Sequence, residues 1–130
     1  VVFGGWNIDD FELYTLGGSG GSSDALTLSG STIGQRGQAV SYTLSAMQPN
    51  TAFGVLVSLH NNGAIIFGHP FDIGNPYRIV HRGTADANGQ AAISFTIPMS
   101  VASNTIAYVE GGAINGAGVD DSNLLTLLIQ

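Results

Sequence analysis

The chain has 130 residues, enough for one domain with a real core, and its 44% hydrophobic content can fill one. Only 9% of residues are charged and none is Lys, so the surface must be built from Ser, Thr, Asn, Gln and Gly. With three Arg (Arg36, Arg78, Arg82) and a net charge of −6, the chain lacks the cationic face that nucleic acid requires, and no apolar run reaches the roughly 18 residues of a membrane span.

Cysteine is absent, which removes disulfides, thiolate metal sites and thiol nucleophiles together. The Lys-poor, Gly/Ser/Thr/Asn-rich composition predicts an exported protein, extracellular or at the cell surface. The chain opens at Val1 with no visible signal peptide, the expectation for a processed or excised piece of a longer precursor.

In chain order, Val1–Leu16 (VVFGGWNIDDFELYTL) reads as a strand kinked at Asp9-Asp10 and carries the only Trp. Residues 17–23, GGSGGSS, form a Gly/Ser linker, because Gly is costly to order and no side chain there offsets the cost. The stretch GGWNIDDFEL within residues 4–13 resembles the closing strand of jelly-roll domains in large secreted bacterial multidomain proteins, near immune-inhibitor-A-like peptidases. That resemblance implies an exported accessory module and a calcium site at the acidic pair, Asp9 and Asp10. A closing strand with no preceding domain lacks a sheet to join, and its unpaired backbone with Trp6, Ile8, Phe11 and Leu13 invites a partner. These four residues are the predicted assembly interface. The expectation is strand addition onto another copy, giving a homo-oligomer or filament; the alternative is that the strand folds back on its own domain.

Residues 24–130 form the predicted β-sandwich domain, a series of short apolar runs separated by turn signals. Leu26 and Leu28 mark its first strand. Over residues 39–46, Val40, Tyr42, Leu44 and Ala46 alternate with Ser41, Thr43 and Ser45, the period of a half-buried strand. Phe53, Val55, Val57 and Leu59 are read as inward over residues 51–60, with Asn61-Asn62-Gly63 turning the chain into a hairpin with residues 64–67. Asp86-Ala87-Asn88-Gly89 is read as a second hairpin turn, between residues 77–85 and 90–98. Strands at 105–109 and 124–129 bring the total to about eight, with no helical periodicity. The predicted fold is all-β: an antiparallel two-sheet sandwich, immunoglobulin-like with a jelly roll as the alternative, plus the N-terminal extension strand.

No residue combination predicts an enzyme. GGSGG at residues 17–21 matches a nucleophile elbow formally but sits in the linker, without the strand and helix that motif needs. His60, His69 and His81 with Asp72 are the right chemistry for a metal or acid/base site but fit no ligand spacing. Asp9-Asp10 and Asp120-Asp121 are material for Ca²⁺, which takes carboxylate and carbonyl oxygens; no cofactor is required. The irregular stretch 68–76, flanked by aromatic residues, is the natural ligand loop, with Phe71, Asp72 and Tyr77 as its candidates. The function expected is therefore a structural subunit of an extracellular fibre, sheath or surface layer. A calcium-dependent or carbohydrate-binding adhesive module is the alternative.

Overall fold

The computed structural model describes residues 25–116 and 118–130, and these contain strands and turns but no helix. In chain order the strands are β1 (Thr27–Gly30), β2 (Ile33–Gly34), β3 (Ala39–Ser45), β4 (Ala52–Ser58), β5 (Ala64–Ile66), β6 (His69–Phe71), β7 (Tyr77–Thr84), β8 (Ala91–Thr96), β9 (Thr105–Asn115), β10 (Gly118–Asp121) and β11 (Leu125–Ile129). The smaller sheet has the order β1-β3-β8; the larger has the order β2-β11-β9-β4-β7, with β10 also paired to β9. A separate hairpin pairs β5 with β6. This is a two-sheet sandwich of immunoglobulin-like type.

The alternation in β3 buries Val40, Tyr42 and Leu44 and leaves Ser41 and Thr43 outside. Its neighbours repeat the pattern in register, Leu28 beside Leu44 and Ile93 beside Tyr42. Across the gap, Val55, Ala107, Val109 and Leu127 supply the facing layer. Each buried Val, Leu or Ile among them stabilises the fold by about 1.5–3 kcal/mol relative to exposure, so this layer dominates folding. Close approach of the sheets requires Gly at position 111, where a Cβ would lie 2.8 Å from Leu44 Cδ1.

The two sheets are also joined by a polar clasp. Asn123, between β10 and β11, accepts from Leu28 N at 2.8 Å and donates through Nδ2 to Leu28 O at 3.0 Å. Its amide thus imitates a neighbouring strand for the edge strand β1. Leu26, just before β1, makes a parallel bridge to Ser122.

Several expectations need correction. Residues 51–60 and 64–67 do not form a hairpin: β4 pairs with β7 and β9, whereas β5 pairs with β6. The turn at 86–89 exists, with Asp86 Oδ1 accepting from Asn88 N and Gln90 N, but it joins β7 of one sheet to β8 of the other. A positive-φ turn bends the chain without choosing whether the next strand pairs or crosses. Ala46 leaves the strand with φ of 67°, and Leu59, past the end of β4, is 57% exposed. The larger sheet is not wholly antiparallel, since β2 runs parallel to β11.

The larger sheet is covered on its second face too. Leu56 on β4 packs with Ile66, Phe71 and Ile73 in a separate cluster under the β5–β6 hairpin and the segment after it. That second roof positions the candidate site.

Candidate functional site

Strand β9 places Glu110 on the outer face of the larger sheet, opposite in direction to Val109, and the roof leaves it 0% exposed. The segment after β6 is strapped down by backbone bonds: Gly63 N donates to Asp72 O and Gly74 N to His60 O at 2.9 Å. Ser58 Oγ donates to Pro76 O at 2.8 Å, fixing the segment to the end of β4. These straps aim two amides at one carboxyl group. Ile73 N donates to Glu110 Oε1 at 2.8 Å and Asp72 N to Oε2 at 3.3 Å.

Two more carboxyl groups converge there. Asp72, Glu110 and Asp121 each offer an oxygen within 4.8 Å of the others. Asp121 ends β10, held by the Gly112–Asp121 register, and accepts from His69 Nε2 at 2.8 Å. His69 lies on β6, its ring edge-on to Phe71 at 5.5 Å between centroids. Loss of water around Glu110 raises its carboxyl pKa well above the ordinary value; the hydrogen bond to Asp121 and the charges of Asp121 and Asp72 add to that, while the Ile73 amide opposes it. Burial and the neighbouring carboxylates thus favour the protonated form of Glu110 relative to an exposed carboxyl, and Asp121, its hydrogen-bond partner, is engaged on its other side by His69.

The arrangement can do two things chemically. It can act as a proton-holding network that ties β6, β9 and β10 together. Alternatively, three carboxyl groups within 4.8 Å of one another suit a hard cation such as Ca²⁺, whose binding would favour the ionised form of Glu110 that burial disfavours.

Beside it runs an apolar groove of about 270 Å³ across β7, β4, β9 and β10. Its floor is low where Gly54 and Gly112 face each other in register. A Cβ on Gly112 would stand 2.8 Å from the Phe71 ring, so glycine lets the roof close there. Ile79 and Arg82 of β7 form one wall and Ile114 another. At the rim, Phe67 and Gly68 make the turn of the β5–β6 hairpin with φ of 52° and 74°. Phe67 is 81% exposed, a bulky side chain in a backbone conformation that favours Gly or Asn.

The predicted loop residues have separate fates. Phe71 is buried at 3% and lines the apolar groove, and Tyr77 is half-buried against the second cluster. Asp72 joins the carboxyl network, as does His69, whereas His60 lies past the end of β4, its backbone bonded to Ser58 and Gly74, and His81 stacks on Phe53 at 5.8 Å. The stretch 68–76 also contains β6 and is less irregular than its composition predicts. Sequence reading missed Glu110, although a lone acid amid Ala107, Val109 and Ala113 was its available signal. Trp6, Ile8, Asp9, Asp10, Phe11 and Leu13 lie outside the described residues.

No protein-family model matches the sequence, and no curated protein does. Among solved structures, 85% of this chain is similar to a part of an Escherichia coli alpha-2-macroglobulin activated by porcine elastase, with a TM-score of 0.54 and 12% identity. The match spans 13% of that much longer chain. At this identity the likeness is one of fold alone, and it agrees with the immunoglobulin-like arrangement of the sheets.

Proposed function

We propose that this chain is a structural subunit of an extracellular fibre, sheath or surface layer, and that it assembles by strand addition through its N-terminal segment. The observation that carries the reading is the pair of open sheet edges. Among the described residues, β7 pairs only with β4 and β8 only with β3, so each leaves one row of backbone groups without a strand partner. Such edges accept an added strand unless charge, Pro or a cover blocks them. Neither strand contains Pro, and β8 carries no charged residue, whereas β7 carries Arg78 and Arg82, which block an added strand unless it brings opposite charge. Exposed Ile65, Phe67, Ile79 and Ile114 add apolar area on the outer face of the larger sheet. The segment 1–16, with Trp6, Ile8, Phe11 and Leu13, supplies the matching donor.

Sedimentation of the full chain over a wide concentration range, with electron microscopy of the same samples, tests this. Assemblies that persist on dilution and vanish when residues 1–16 are deleted support the proposal. A monodisperse monomer at every concentration overturns it.

The second reading, a calcium-dependent adhesive module, is favoured by the Asp72–Glu110–Asp121 grouping. Calcium titrated against the chelator-treated chain, followed by calorimetry, separates the two: a saturable proton-releasing heat in a monomer supports the second reading.

A further inference from the structure

We propose that the acceptor is edge strand β7, which takes residues 9–13 of a second copy in one antiparallel register, set by charge. This inference rests on the assembly reading above and specifies its contact. Two of the three cations of the chain, Arg78 and Arg82, lie on β7, and both are exposed. Neither makes a salt bridge among the described residues. The donor segment is acidic without any cation, carrying Asp9, Asp10 and Glu12.

Spacing selects the register. Arg82 and Arg78 are four residues apart, but a bulge at Val55/Leu56 makes their partners Gly54 and Val57, three ladder positions apart and therefore on opposite faces. Asp9 and Glu12 are also three apart. Setting Asp9 beside Arg82 and Glu12 beside Arg78 places Asp10 beside His81, Phe11 beside Ile79 and Leu13 beside Tyr77, through the same bulge. Ile79 and Arg82 are groove residues, so Phe11 falls on the apolar wall next to the exposed Phe67. Every carboxylate then meets a cation or an imidazole, and every apolar side chain meets an apolar one. The opposite, parallel direction puts Asp10 against Ile79 and loses this match. Edge strand β8 offers no Arg.

Distance makes the donor a second copy. In this register Leu16 would lie five strand spacings across and about six residues along from Leu26, which is held beside Ser122. With about 4.8 Å per spacing and about 3.4 Å per residue the separation is roughly 31 Å. Ten residue steps reach at most about 34 Å fully stretched, and a Gly-rich coil of that length averages roughly 17 Å. A tether at nearly full extension disfavours its own domain, whereas a neighbouring copy removes the constraint. Because donor and acceptor surfaces differ, the contact is head-to-tail and propagates.

Cysteine cross-linking of the full chain reads the register directly, since the native chain has no Cys. Phe11→Cys with Ile79→Cys in one chain should give a ladder of disulfide-linked oligomers on mild oxidation, whereas Phe11→Cys with Ser94→Cys on β8 should not. A linked monomer from the first pair, a ladder from the second, or no linkage in chains that do assemble each overturns the β7 assignment. Independently, Arg78→Glu with Arg82→Glu should raise the concentration needed for assembly by about tenfold or more, and adding Asp9→Arg with Glu12→Arg should restore it. Assembly indifferent to these charges refutes the register while leaving strand addition standing. Complete absence of assembly in the unmodified chain refutes the underlying reading instead.

Discussion

Val109 and Glu110 are consecutive residues of one strand, both 0% exposed, and they are buried in opposite ways. Val109 enters the layer between the sheets, where its neighbours are Leu, Val, Ile and Ala. Glu110 points to the outer face and is held by two amides and a second carboxyl group under a roof made by β5, β6 and the segment to Pro76. The comparison teaches that burial alone does not select apolar residues. An apolar site needs only volume, whereas a buried carboxyl requires partners delivered to its oxygens, and the strapped segment 72–76 delivers them.

The largest expected effect tests the apolar side. Leu44→Ala empties a site that is 0% exposed and pressed against the backbone at Gly111, and should cost about 2–5 kcal/mol of unfolding free energy in denaturant titration. A loss under about 1 kcal/mol would break the contrast, because the layer would then be collapsing freely around the gap.

Glu110→Gln tests the polar side. Glu110 has a folded-state pKa above its unfolded value of 4.5, so the stability it contributes is full below about pH 4.5 and is lost as pH rises toward the folded value. Gln keeps an acceptor for Ile73 N and a donor for Asp121 but has no proton to lose. The variant should therefore flatten this part of the stability–pH curve, while losing the second acceptor that Asp72 N uses. Unfolding titrations from pH 4 to pH 8 check it; a curve of unchanged slope would show that Glu110 is ionised in the fold.

Tyr42→Phe sharpens the comparison from inside the apolar layer. The Tyr42 hydroxyl is buried with no hydrogen-bond partner among the described residues, and burial pushes its pKa up to about 12. Its ring already stacks on Phe95 at 5.7 Å, so the phenyl ring keeps the packing. Removing the hydroxyl should leave thermal stability unchanged or raise it by up to about 1 kcal/mol. A clear loss would mean that the hydroxyl has a partner in solution.

Much of the sandwich was legible in residue order. The period of two in β3 identified buried Val40, Tyr42 and Leu44, and Asp86 with Gly89 marked a turn. Alternation failed at Leu59, because period two continues past the point where β4 ends and cannot register that its sheet has stopped. It failed again at Glu110, where a charged residue in a strand reads as solvent-facing. At the candidate site Asp72, His69 and Asp121 each had the right chemistry, but they are far apart in sequence and nothing local pairs His69 with Asp121.

The residues alone determined that this protein would be all-β, with one strongly apolar inter-sheet layer and a surface poor in cations, because strand period and composition are local properties of the chain. Only the tertiary structure decided that the turns at 61–63 and 86–89 join non-partners, that β7 is left at an edge with two Arg residues, and that Glu110 is enclosed. Those outcomes depend on which distant strand arrives beside each ladder and what packs over its second face, and pairing between distant strands is a property of the whole assembly of sheets.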